Sequence, residues 1–257
     1  MRCPICSLGG SGQREIERLE PSCSEIEKAV KESRVGFFTL SGGEPTYRSD
    51  INAIIRIFRK HKKTVAINTN GLKLVDVQYL KDLVGSGLGR INFQFDGFKR
   101  QTYLLLRGMD LLDEKLKALE NLKSLGIPVV LNATISKNIN EESISELIEY
   151  AASNKFINGV TFFTICNIGG ARKWLLDNYV VPDEIVGIIE KQTNKRINSK
   201  NFYLFQKLHI ALKSLFSHKV CLYGRVYVLV RNNKSYRPID EFVNLEKLEP
   251  ILDIYQD

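Results

Sequence analysis

Apolar positions along this chain follow two alternating rhythms. Short runs rich in β-branched and aromatic residues recur at residues 35–40, 64–68, 90–96, 129–136 and 160–166. Between them the apolar spacing lengthens to three and four residues, which places one face of a helix against a core. That alternation predicts parallel strands joined by crossover helices. The punctuation agrees with it. Asp110 is placed to cap a helix whose Leu111, Leu112, Leu116, Leu119, Leu122 and Leu125 form one stripe, and Gly126 stops it before Pro128. Ser49 or Asp50 starts a helix over 51–59, and Asn140 starts one over 141–152 with Ile144, Leu147 and Ile148 facing inward.

Beyond Cys166 the rhythm changes. Asn167-Ile168-Gly169-Gly170 is a loop, residues 182–193 and 202–216 read as helices, and alternation returns at 222–230. An Asn232-Asn233 turn links that last run to 236–239 as a hairpin. The expected division is a core over residues 1–170 and a helical plus short β extension over 171–257. No repeat or low-complexity linker interrupts either part.

With 257 residues, 44% hydrophobic and 26% charged, the chain is of ordinary globular composition and can bury a substantial core. Its formal charge of +8 reads either as a solvated basic surface or as a preference for anionic partners. Five cysteines, at 3, 6, 23, 166 and 221, form no secreted disulfide framework, and no apolar run reaches the ~18–20 residues of a membrane span. A cytoplasmic location is expected.

Two clusters carry candidate chemistry. Cys3-Pro4-Ile5-Cys6 is a Cys-x2-Cys pair, which on its own reads as two ligands of a metal centre, as half of a structural zinc site or as a thiol–disulfide motif. Ser41-Gly42-Gly43-Glu44-Pro45-Thr46 follows directly after the first apolar run. The missing Cβ atoms of Gly42 and Gly43 let a ligand approach the backbone, and Glu44 puts a carboxylate suited to an ammonium group at the same rim. The alternative is a tight βα turn with a capping acid. Asn68 and Asn70 end the second run, where Asn70-Gly71 serves equally well as a turn. Gln94 and Asp96 alternate with Phe93 and Phe95, and Asn132, Thr134 and Ser136 repeat that period. Polar residues on the inner face of a core strand are costly unless used, which marks them as site candidates.

These segments, with Asn68-Thr69-Asn70-Gly71, Gln94-Phe95-Asp96-Gly97, Thr102-Tyr103 and Leu106-Arg107-Gly108, resemble the radical S-adenosylmethionine (SAM) superfamily. Within it the chain is similar to archaeal tetraether lipid synthases, a group that includes proteins described as dihydropterin methylases. The resemblance implies a partial (β/α)6 TIM-like barrel that lacks its first strand, with a C-terminal extension. It implies a [4Fe–4S] cluster ligated by Cys3 and Cys6, with one iron open to S-adenosylmethionine. Gly42, Gly43 and Glu44 would meet the methionine amino group. Asn68 and Asn70 would meet the carboxylate or ribose, Asn132, Thr134 and Ser136 would reach the ribose hydroxyls, and Gln94 and Asp96 would complete the cofactor-binding set. No residue is singled out as catalytic.

The implied activity is reductive cleavage of S-adenosylmethionine followed by hydrogen abstraction, in lipid chain coupling or methylation. It brings a small-molecule or lipid substrate and an electron donor such as a ferredoxin or flavodoxin. Contact with a membrane surface suits the basic charge, and no nucleic acid partner is expected. The family's first cluster cysteine, in Cys-x3-Cys-x2-Cys, would fall two residues before Met1, and the first barrel strand before that, so a shortened N-terminus is expected. The rival expectation is a non-catalytic or truncated paralogue that keeps the barrel without a full cluster. His218 and Cys221 are the only trace of an auxiliary cluster site, and such a cluster is not expected.

Overall fold

The computed structural model describes residues 3–6, 20–166, 168, 171, 178–215, 225–233 and 235–252. At its centre lies a five-stranded parallel sheet of β1 (Phe37–Leu40), β2 (Thr64–Thr69), β3 (Arg90–Gln94), β4 (Val129–Ile135) and β5 (Ile157–Thr164), neighbours in chain order. Because every strand runs the same way, all five C-terminal ends meet along one rim. The segments after β1 to β4 bring Glu44, Asn70, Asp96 and Ser136 to it. The connections carry α1 (Cys23–Glu32), α2 (Ile51–Lys60), α3 (Val77–Ser86), α4 (Arg100–Arg107), α5 (Leu112–Ser124) and α6 (Ile144–Ser153).

One face of the sheet is dry and the other is half-exposed and polar. In β4, Val129, Leu131, Ala133 and Ile135 are fully covered and alternate with Val130, Asn132 and Thr134. Helices close the dry face with stripes at helical spacing, such as Ile51, Ile54, Ile55 and Phe58 on α2. Each fully buried Leu, Ile or Phe contributes about 1.5–3 kcal/mol, so this layer dominates the stability of the fold. Helix ends are set locally. Asp76 Oδ1 accepts from Gln78 N and Tyr79 N to start α3, and Gly87, with φ of 110°, ends it in the left-handed conformation.

Two expected caps work differently. Asp50 stands at the start of α2, yet its carboxylate takes Arg48 at 2.8–2.9 Å and the Cys23 thiol at 3.4 Å rather than the helix amides. Asn140 precedes a 3-10 turn (Glu141–Ser143) that leads into α6, and its amide is spent on Ser136 N, Asp96 O and Thr134 O.

Past residue 178 the chain forms α7 (Pro182–Gln192), α8 (Ser199–Leu215), the antiparallel hairpin β6 (Leu229–Asn232) and β7 (Ser235–Pro238), and α9 (Leu245–Leu252). The expected turn sits at Asn233, with φ of 54°. Strand β6 begins later than expected, since residues 225–228 lie outside any strand. Among the described residues no sixth strand joins the parallel sheet. Val180, Ile185, Val186, Ile189, Phe202 and Tyr236 belong to the same apolar cluster as the sheet, so the core runs unbroken past residue 170. Residues 218 and 221 lie outside the described residues.

Candidate functional site

The rim is built around two fixed charges. Glu44 starts the 3-10 turn Pro45–Tyr47, and its Oε1 accepts from Thr46 N at 3.2 Å, Thr46 Oγ1 at 2.7 Å and Thr69 Oγ1 at 2.7 Å. Oε2 accepts from Asn70 N at 2.6 Å alone, so it is the oxygen with a lone pair to spare among the described residues. The carboxylate therefore caps its own turn, clamps the end of β2 and still presents an acceptor. Gly42 and Gly43 beside it are exposed, and a Cβ built on either meets nothing within 4 Å.

Arg107 is the opposite charge. Its Nε and Nη2 grip the Asp96 carboxylate at 2.7 and 2.8 Å, and Nη2 also reaches Thr134 Oγ1 at 3.0 Å. Asp96 is fully buried and also accepts from Thr134 N and Gln94 Nε2, so its oxygens are saturated from within. Burial works against the Arg107 charge, but Asp96, and after it the nearby Cys3 side chain, outweigh it and raise its pKa. Nη1 is the one nitrogen of the fork with no oxygen acceptor among the described residues.

Cys3 and Cys6 form one turn, closed by Cys6 N to Cys3 O at 3.1 Å, and both are free, half-buried thiols. Ile5 between them anchors the turn on Leu106 and Ile165. Packing of Ile5 against the last turn of α4 thus brings Cys3 beside Arg107. Two thiolates on one short turn suit iron–sulfur ligation and supply two of the three sulfurs such a cluster takes. Among the described residues no group of three Cys, His, Asp or Glu side chains is arranged to hold a metal.

The remaining candidates divide by what they touch. Asn68 accepts from Asn92 Nδ2 at 2.7 Å and donates to Ser41 Oγ at 3.2 Å, on the half-exposed polar face that also carries Asn132, Gln94 and Thr134. Asn70 turns its Oδ1 to Leu72 N at 2.9 Å, the turn role, and Gly71 follows with φ of 74°. Ser136 is fully buried and donates to Asn178 O at 3.2 Å, so its hydroxyl faces the packing and not the rim. Asp96 likewise serves the interior, because its carboxylate is consumed in holding Arg107.

Three residues of this rim were not singled out from the sequence. Arg107 stands out in the sequence only as part of Leu106-Arg107-Gly108. Asn92 continues the period-two polar pattern of Gln94, which was a readable signal. Lys115 occupies a stripe position of α5, three residues after Leu112 and four before Leu119, where a lysine is out of place. It is fully buried, with Nζ donating to Gln94 O at 3.0 Å, to Gln94 Oε1 at 2.6 Å and to Asn70 O. Burial pushes its pKa down to about 7, against the pull of Asp96.

A sequence model described as the Radical SAM superfamily matches residues 1–151, more than half of the chain. The chain belongs to the radical SAM superfamily. Its cofactors are accordingly S-adenosylmethionine and a [4Fe–4S] cluster. Among curated relatives, 7,8-dihydro-6-hydroxymethylpterin dimethyltransferase of Methanocaldococcus jannaschii is 32% identical over 96% of this chain and 52% of its own length. A probable GTP 3',8-cyclase of Pyrococcus abyssi is 38% identical over 59% of this chain and 49% of its own. The chain thus spans about half the length of these relatives. Among solved structures, SuiB of Streptococcus suis bound to its precursor peptide SuiA aligns with a TM-score of 0.62 at 20% identity, covering 75% of this chain and 42% of that one. Coproporphyrinogen III oxidase (HemN) of Escherichia coli, described as a radical SAM enzyme, aligns with a TM-score of 0.55 at 15% identity, covering 77% and 50%. These structures support the fold.

Proposed function

We propose that this chain is the core of a radical SAM enzyme that cleaves S-adenosylmethionine reductively and methylates a small molecule. The carrying observation is that a clamped guanidinium, a free thiol turn and a carboxylate with a spare acceptor share one rim. In this reading Arg107 takes the carboxylate of the methionine moiety, and Glu44 with the Gly42-Gly43 backbone takes its ammonium. Asn68, Asn92, Gln94, Asn132 and Thr134 face the ribose, while Asn70, Asp96 and Ser136 hold the strand ends in place. Cys3 and Cys6 would be two of the cluster ligands. What a bound [4Fe–4S] cluster supplies is one electron, enough to split the sulfonium into methionine and a 5′-deoxyadenosyl radical that removes hydrogen from a substrate carbon. The parent fold in this reading is the partial TIM-like barrel, and the electron comes from a ferredoxin or flavodoxin.

Methylation is favoured over lipid chain coupling because the relative that matches 96% of the chain is named a dimethyltransferase. Ring-bearing substrates of the pterin or guanine type suit the same comparisons. The test is anaerobic reconstitution with iron and sulfide, then incubation with S-adenosylmethionine and dithionite. Formation of 5′-deoxyadenosine is the expected outcome. A colourless, iron-free protein that forms none would favour the paralogue without a full cluster. Arg107→Lys keeps a charge against Asp96 but loses the fork, and should raise the Kd for S-adenosylmethionine about tenfold, measured by calorimetry.

A further inference from the structure

Lys115 is the one fully buried lysine of the described residues, and its three contacts match the three hydrogens of an ammonium group. What it joins is informative. Asn70, whose carbonyl it holds, gives its own N–H to Glu44 Oε2 at 2.6 Å. Gln94, whose Oε1 it holds, turns Nε2 to Asp96 Oδ2 at 2.5 Å, and Asp96 grips Arg107 at 2.7 Å. A chain of hydrogen bonds, continued through the backbone of Asn70, therefore runs from Glu44 through Lys115, Gln94 and Asp96 to Arg107. It crosses the ends of β2 and β3 and joins the two opposite charges of the rim. Between the two charged ends of this chain, Lys115 is the link drawn from a helix, α5, while Asn70, Gln94 and Asp96 come from the ends of β2 and β3. The Gln94 amide has no choice of orientation while Lys115 is charged, since its oxygen must face the ammonium and its NH2 the carboxylate. A second constraint fixes the ammonium itself, which sits 5.3 Å from the centre of the buried Phe93 ring.

We infer that Lys115 is a positioning residue that sets the separation and orientation of Glu44 and Arg107, and so selects a ligand carrying an ammonium and a carboxylate on one short carbon frame. This rests on the reading of the rim given above. Lys115 touches no ligand in this arrangement, since its three donors are used within the protein. Its loss should therefore be felt at the amino-acid end of a ligand and not at the nucleoside end.

The experiment compares two ligands on the reconstituted chain by calorimetry: S-adenosylmethionine, and 5′-methylthioadenosine, which has the adenosine and sulfur but no amino-acid group. Lys115→Met keeps an unbranched apolar stem in the buried space. The expected result is a loss of tenfold or more in affinity for S-adenosylmethionine with 5′-methylthioadenosine changed less than twofold. Equal losses for both ligands, or no loss for either, would overturn the inference. If Lys115→Met does not fold, Lys115→Gln, which keeps a polar head but no charge in the same buried space, takes its place, and the same selective loss is expected. A wild-type chain that binds 5′-methylthioadenosine but not S-adenosylmethionine would overturn the assignment of Glu44 and Arg107 as well. Selectivity in the wild type that survives both substitutions overturns only the role of Lys115.

Discussion

Asp96 and Asn70 were legible as polar residues at strand ends, but not the tasks they perform. Pattern shows that a carboxylate or amide lies on the rim; only coordinates show whether its oxygens are already taken. Those of Asp96 are, by Arg107, Thr134 and Gln94, and that of Asn70 by Leu72. Lys115 was hidden for another reason. A lysine inside a leucine stripe is read as a solvated helix position unless its partners, which lie on two other elements, are known. Gly71 is a residue whose identity the fold does demand. At φ of 74°, a Cβ there would stand 1.9 Å from Phe93 Cε2, in the middle of the buried aromatic layer. Left-handed strain and overpacking add, so Gly71→Ala should destabilise by about 3 kcal/mol in urea unfolding. A loss under 1 kcal/mol would show that Phe93 yields easily.

Among elements, the five strands and the helices α2, α5 and α6 followed from periodicity, most clearly where dry and wet positions alternate as in β4. Their caps followed less well. Asp50 and Asn140 occupy start positions, but stronger partners from outside the helix claim their side chains. For Asp50 that partner is Arg48, which, with the Cys23 thiol, holds the carboxyl pKa down to about 2. A lowered carboxyl pKa stabilises the fold above the unfolded value near 4 and the contribution is lost as pH falls toward 2. The pair is over a third exposed on the Asp50 side, so solvent reduces the effect to about 1 kcal/mol. Wild type should lose that much more stability than Asp50→Asn between pH 5 and pH 2.5, followed by urea unfolding; parallel curves would remove the ion pair from the account. The hairpin is fastened by Arg231, whose guanidinium meets the carbonyls of Ala151, Ala152, Asn154 and Ile157 at 2.6–3.3 Å. These carbonyls lie at the end of α6 and the start of β5, where the negative end of the helix favours a cation. Arg231→Ala should cost about 2 kcal/mol and raise hydrogen exchange at β6 and β7 first.

At the scale of the whole molecule, a parallel sheet in chain order is what makes distant motifs converge. Residues 3–6, 42–44, 68–70, 92–96, 107 and 132–134 are far apart in sequence, and each strand end returns its motif to one rim. The convergence was readable from strand–helix alternation, because parallel strands put every following loop on the same side. Helices after residue 170 add to the apolar cluster of the sheet. The central claim is that the thiol turn and Arg107 belong to one site that receives S-adenosylmethionine. Its most direct test is the electron paramagnetic resonance spectrum of the anaerobically reconstituted, dithionite-reduced protein during a titration with S-adenosylmethionine. The expected result is an iron–sulfur signal that shifts on addition of the ligand in wild type and needs about tenfold more ligand to shift in Arg107→Lys. An iron–sulfur signal that the ligand leaves unchanged, or no such signal at all, would contradict the account.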